Sequence, residues 1–192
     1  RIIAEVDRMT LAFANSEIAD TEIMLLGTIE DPAYVAPGSN SSNLGDELIN
    51  LRNEGDGVLD TVTDLGNRLG ADLVSFVTPA GQGGQGGVAN GGNRYTINSR
   101  TSMTASQMVF AHELGHNMGA GHAWGDTSKP TGSNTGWRLK TQSGAQVTTI
   151  NAYTDGWGAR IPYYSNPDVL YDGARTGAVD GYNATGDPTA DP

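Results

Sequence analysis

Residues 111–125 read AHELGHNMGAGHAWG, and they hold all three histidines of a 192-residue chain. Histidines scattered at random would not fall into eleven consecutive positions, so one shared task, the binding of a metal ion, is the first reading. His112 and His116 are four apart, which on a helix puts both imidazoles on one face, one turn apart, as shared ligands of one metal need to be. Glu113 stands beside them but is offset around the helix, which suits its carboxylate to a metal-bound water rather than to the metal, the place of a general base. Gly119 can take a left-handed conformation at low cost, end the helix and turn the chain back, so that His122 becomes a third nitrogen ligand.

Three protein ligands leave a fourth position for water, the arrangement of a catalytic zinc. A structural zinc is closed by four protein ligands, usually including cysteine, and this chain has no cysteine. Such a zinc lowers the pKa of the bound water and polarises a carbonyl, and Glu113 would pass the water's proton to a leaving amine, so the pattern describes hydrolysis of an amide. A bare HExxH arises by chance in roughly one chain of this length in a few hundred, and adding the glycine and third histidine lowers that to about one in 10⁵. The competing reading, histidines that merely pack or sit in solvent, needs that coincidence.

Composition bounds the rest. The length suits one domain, or one domain divided by a cleft, with a core that needs neither metal nor disulfide to fold. Twenty-seven glycines imply long loops. Twenty-two acidic against eleven basic residues give a net charge of −11, which argues against nucleic acid and anionic membrane surfaces as partners and fits secretion, salty surroundings or calcium binding. The lack of cysteine removes every thiol mechanism and leans towards a bacterial secreted protein. No apolar run is long enough to cross a bilayer and the start does not resemble a signal peptide, so membrane insertion is not expected and the form reads as mature or trimmed.

Along the chain, 2–14 shows helical spacing through Ile2, Ile3, Val6, Met9 and Phe13, and 21–29 (TEIMLLGTI) reads as a strand. After a loop at 31–43, LGDELINLRN and GVLDTVTDLGNRLG form one or two helices, the second with Val58, Leu59, Val62, Leu65 and Leu69 on a face. ADLVSFV (71–77) is a buried strand, a Gly and Gln loop follows, and NRYTINS (93–99) alternates as a short, exposed edge strand. The glycine loop lacks the pattern of a phosphate-binding loop. A helix from Ser102 to Gly119 carries the histidines, and beyond 123 little periodicity survives.

At His112, Glu113, His116, Gly119 and His122 the chain matches HExxHxxGxxH and resembles the metzincin clan of zinc metallopeptidases. Its wording at GDGVLDTVTDLGNRLGADLVSFV and RIPYYSNPDVLYDG is most similar to bacterial secreted reprolysin-like and peptidyl-Asp-type metalloendopeptidases, over roughly 1–187. The resemblance implies an α/β (α+β) fold: an upper subdomain with a twisted sheet at 1–119, ending with the zinc helix on a cleft floor, and an irregular lower subdomain at 120–192, the whole forming one catalytic domain. It implies a secreted, extracellular bacterial endopeptidase with one catalytic Zn2+, acting as a monomer on protein or peptide substrates. It also places Asn151, in TTINAYTDG, where metzincins carry a methionine in a tight turn beneath the zinc. Tyr153, two residues on, would be an auxiliary ligand or oxyanion stabiliser, against ordinary packing.

Two further departures are Ala123, where reprolysin-like members carry Asp, with Asp126 as a substitute in reach, and the lack of a strand before the first helix or a closing helix. Tyr163 and Tyr164 resemble the wall of the primed-side specificity pocket, with core anchoring as the alternative. Tyr95, within NRYTI, would belong to an edge strand onto which an extended substrate adds. Asp155, Asp168, Asp172, Asp180 and Asp187 lie among glycines as candidate calcium ligands, although none follows EF-hand spacing and solvated acidic turns compete. Two other functions share the zinc: an interaction module that has lost proteolysis, which Asn151 and Ala123 would suit, and an amidase acting on small or glycan-linked peptides. Glu113 favours an active enzyme.

Overall fold

In the computed structural model, which describes residues 1–30, 34, 43–79, 85–123, 126 and 134–178, the helices are α1 (Ile2–Asn15), α2 (Leu44–Arg52), α3 (Asp60–Leu69) and α4 (Val109–Asn117). The strands are β1 (Val74–Thr78), β2 (Gly87–Ala89), β3 (Tyr95–Ser99), β4 (Arg138–Lys140), β5 (Gln146–Thr148), β6 (Leu170–Tyr171) and β7 (Ala174–Arg175). This is the mixed α/β (α+β) architecture expected of the sequence. The chain divides into two units, Arg1–Ile3 with Met24–Met118, and Ala4–Ile23 with Gly119–Pro192. The division differs from the expected 1–119 and 120–192 in one element: most of α1 belongs to the second unit.

The first unit is built around β3. It pairs in parallel with β1, Val74 opposite Tyr95 through Thr78 opposite Ser99, and antiparallel with β2, Gly87 opposite Asn98 and Ala89 opposite Thr96, in the order β1-β3-β2. Leu44, Leu48 and Leu51 of α2 recur at helical spacing and pack with Leu59, Val74, Tyr95 and Ile97. Asn43 caps α2 by accepting from the Asp46 amide at 3.2 Å. Gly70, at φ +66°, ends α3 in a left-handed turn that lets the Ala71 amide reach the Gly66 carbonyl at 2.9 Å.

Three expectations are corrected here. NRYTINS holds the central strand: every residue of β3 is buried, with Thr96, Asn98 and Ser99 wholly out of solvent, and the edges of the described sheet fall to β1 and β2. Asn98 Nδ2 donates to Ser75 Oγ at 2.9 Å and Thr96 Oγ1 at 3.2 Å, so polar partners inside the sheet allow an alternating segment to be buried on both faces. The segment 21–29 is not a strand. It pairs with no described strand and leaves Met24 66% and Leu26 46% exposed, because an apolar run becomes a strand only where a ladder partner is offered. Finally, α4 begins at Val109 rather than near Ser102, since Met108 stands in the left-handed region at φ +47° and breaks the helical run before it.

In the second unit, the buried side of α1 is Glu5, Met9, Ala12 and Phe13, while Ile3 is exposed. Glu5 is tolerated inside because it pairs with Arg8 one turn on. The end of α1 is tied down by Ser16, whose Oγ donates to the Ala12 carbonyl at 2.6 Å and accepts from the Tyr164 amide at 2.8 Å. The two short hairpins β4-β5 and β6-β7 frame a small core of Trp137, Leu139, Val147 and Ile161.

The position of α4 rests on Asn117. Its side-chain amide donates to the carbonyls of Asn90 and Tyr95, each at 3.2 Å, and of Asn93, tying the helix end to the β2-β3 turn. Asn117→Ala is expected to lower stability by about 1–3 kcal/mol, because those carbonyls lose their shared donor. Urea denaturation checks it: the midpoint falls with an unchanged slope.

Candidate active site

His112, Glu113 and His116 occupy consecutive turns of α4, the first two buried and His116 half-buried. The four-residue spacing brings Nε2 of His112 to 3.1 Å from Nε2 of His116, with the rings at 89°. α4 ends through the Met118 amide on the Leu114 carbonyl at 3.1 Å, and Gly119 follows at φ +98°. That left-handed turn sends the chain back, and Gly121 is held there by accepting from the Gly136 amide at 2.8 Å and donating to the Asn134 carbonyl at 2.6 Å. The ligand nitrogens of His112, His116 and His122 all lie within 4.8 Å of one another.

This donor set fits zinc. Zinc–nitrogen bonds of about 2.0–2.1 Å at tetrahedral angles put ligand nitrogens ~3.3 Å apart, close to the separation of the His112 and His116 pair, and three nitrogens without a thiolate leave one position open. Among the described residues the three histidines are the group of His, Asp or Glu side chains able to hold a metal; no acidic cluster joins them. Asp172 accepts from Ser143, at 2.5 Å from Oγ and 3.2 Å from the amide, and these bonds hold its carboxyl below the usual range. It serves a turn. Asp180 and Asp187 lie outside the described residues, as does 80–84 of the Gly and Gln loop.

Glu113 is covered by the edge strand. A Cβ built on Gly87 would sit 2.7 Å from Glu113 Cγ and 2.8 Å from its Oε1, so β2 crosses directly against the carboxylate and only glycine allows that approach. Tyr153 lies on His122, ring centroids 4.3 Å apart at 43°. Asn151 is buried in the tight turn before it, between Ile150 and Ala152, both fully buried, and Gly136 packs on the backbone of this turn so closely that a Cβ there would collide with it. The turn therefore forms with Asn151 in it. Tyr95 is 8% exposed in the core of the first unit, which corrects its placement on a substrate-binding edge. Tyr164 is also a core residue, 5.5 Å from the Phe13 ring, and burial pushes its hydroxyl pKa up; it is an anchor rather than a pocket wall. Tyr163 is half-buried against Tyr171 at 5.4 Å.

The profile of the family described as "Metallo-peptidase family M12B Reprolysin-like" matches residues 6–123. The chain belongs to this family. Within it, the chain is similar to two proteins named peptidyl-Asp metalloendopeptidase from two strains of Stenotrophomonas maltophilia. One is 28% identical over 170 residues, covering 86% of this chain and 39% of the relative; the other is 27% identical over 144 residues, covering 72% and 34%. The chain thus spans well under half the length of these relatives. A solved chain described as "Structure of a chaperone-substrate complex" shares the fold, with a TM-score of 0.64 at 23% identity over 93% of this chain and 27% of that one. Reprolysin-like membership carries zinc with it, and no helix among the described residues is long and apolar enough to cross a membrane.

Sequence reasoning missed three parts of the site: the contact of Gly87 with Glu113, the Asn117 anchor, and the partners of Asp126. Only Asp126 had a signal, four residues beyond the last histidine. Gly119→Ala is expected to weaken zinc binding roughly tenfold, since an L side chain at this φ is strained by about 1–2 kcal/mol. Competition with a chelating indicator measures it.

Proposed function

We propose that residues 1–192 act as one catalytic domain of a secreted, zinc-dependent endopeptidase, with Glu113 as general base. The observation that carries this reading is the convergence of the three imidazoles beside a buried carboxylate. His112, His116 and His122 would hold the ion, which supplies a Lewis acid for the peptide carbonyl and a lower pKa for water. Glu113 accepts the proton of the attacking water at its carboxylate and delivers it to the leaving amide nitrogen, so one group serves as base and then acid. The Tyr153 hydroxyl donates to the oxyanion that develops on the scissile carbonyl, its ring oriented by the stack on His122. An extended peptide adds to the edge of β2, which brings its backbone against Glu113 through Gly87. Bacterial relatives, an acidic composition and the lack of cysteine support secretion.

The relatives' name points to an aspartate beside the cleaved bond. In a chain of net charge −11 an anionic side chain needs a local cation. Arg160 is suited to that role: its guanidinium donates to the Ala152 carbonyl at 2.9 Å, one residue from Tyr153.

Glu113→Gln is expected to keep one zinc per chain and lose about 10²–10⁴-fold in kcat, with chelation abolishing the native activity and zinc restoring it. A zinc-loaded native chain inert on quenched-fluorescent peptides and on denatured protein would instead favour an interaction module. Arg160→Gln is expected to lower kcat/KM by about 10–100-fold for a peptide cleaved beside Asp, and far less for the matching Asn peptide. Paired peptides in one assay read that ratio.

A further inference from the structure

His112 and His116 are oriented by α4, whereas His122 stands on irregular chain after Gly119 and needs support from elsewhere. The side chain of Asp126 is wholly out of solvent. Its Oδ2 accepts from two backbone amides, Ala123 at 3.0 Å and Tyr153 at 3.1 Å. Ala123 is the residue after His122, and Tyr153 is the residue whose ring lies on His122. One carboxylate oxygen therefore joins the two strands of chain that carry the stacked rings. The other oxygen, Oδ1, pairs with Arg138, whose Nε returns to the Tyr153 carbonyl at 3.2 Å, and the Asp126 amide donates to the Ala123 carbonyl at 3.1 Å. Burial alone raises the Asp126 pKa, while the two amides and Arg138 pull the other way.

We propose that Asp126 is a positioning residue that sets His122 against Tyr153, with Arg138 as its neutralising partner. The inference rests on the zinc-peptidase reading and assigns the third ligand its outer support. Metal ligands held by such outer partners typically lose affinity by about 10–100-fold when the partner is removed. The structural alternative is a buried ion pair that only stabilises the second unit, and the two separate because a merely stabilising pair lowers the melting temperature of a folded variant without changing its zinc affinity or Co2+ spectrum.

The test compares the native chain with Asp126→Asn and with the double variant Asp126→Leu/Arg138→Met. Three quantities are read: thermal melting without metal, zinc affinity by chelator competition, and the visible spectrum with Co2+. Both variants are expected to bind zinc about 10–100-fold more weakly and to show an altered Co2+ spectrum, and the double variant also melts below native because the Ala123 and Tyr153 amides lose their acceptor. A folded double variant with native zinc affinity and Co2+ spectrum overturns the proposal. If only Asp126→Asn folds, its zinc affinity decides by the same criterion. A native chain that takes no zinc overturns the zinc reading and this proposal together; a native chain that takes zinc alongside variants that take it equally well overturns the positioning role alone.

Discussion

Three imidazoles whose ligand nitrogens lie within 4.8 Å cannot all satisfy one another. A neutral ring has one donor and one acceptor, so a facing pair can share a single proton, and any charged ring repels its neighbours. A cation that accepts all three lone pairs would remove the conflict, and the group has the donor chemistry of the zinc that the family implies. Much of the chain serves to bring these rings together from two different kinds of backbone.

Helical geometry delivers the first pair with little help: four residues make one turn, and the turn faces the right way once Asn117 ties the end of α4 to the β2-β3 turn. The third ring comes from a segment without regular structure. It depends on a left-handed glycine, on the paired backbones of Gly121, Thr135 and Gly136, and on the buried carboxylate of Asp126. Rigidity that a helix provides by its own hydrogen bonds is provided there by side chains and close glycine contacts.

The difference explains what could be read in advance. HExxHxxGxxH is legible because its spacing encodes helix periodicity and a glycine turn, both local properties. The helix at 60–69 and the strand β1 were legible for the same reason, although the face read through Val58, Leu65 and Leu69 is not the buried one: Thr63 and Gly66 are buried while Val58 and Leu69 are exposed. Burial of β3 and the failure of 21–29 to form a strand depend on which strand offers a partner, a non-local matter that alternation cannot reveal. Tyr95 and Tyr164 are buried core residues, and the sequence left Tyr164 open between core and pocket wall because an aromatic in either place looks identical in sequence. The contact of Gly87 with Glu113 joins residues 26 apart and leaves no trace in either segment.

The central claim is that all three histidines bind one zinc. X-ray absorption at the zinc edge of the purified chain tests it most directly. Three imidazole nitrogens and one oxygen at about 2.0–2.1 Å, four-coordinate, are the expected first shell. Two or fewer imidazoles, or an oxygen-rich shell of higher coordination number, would contradict it.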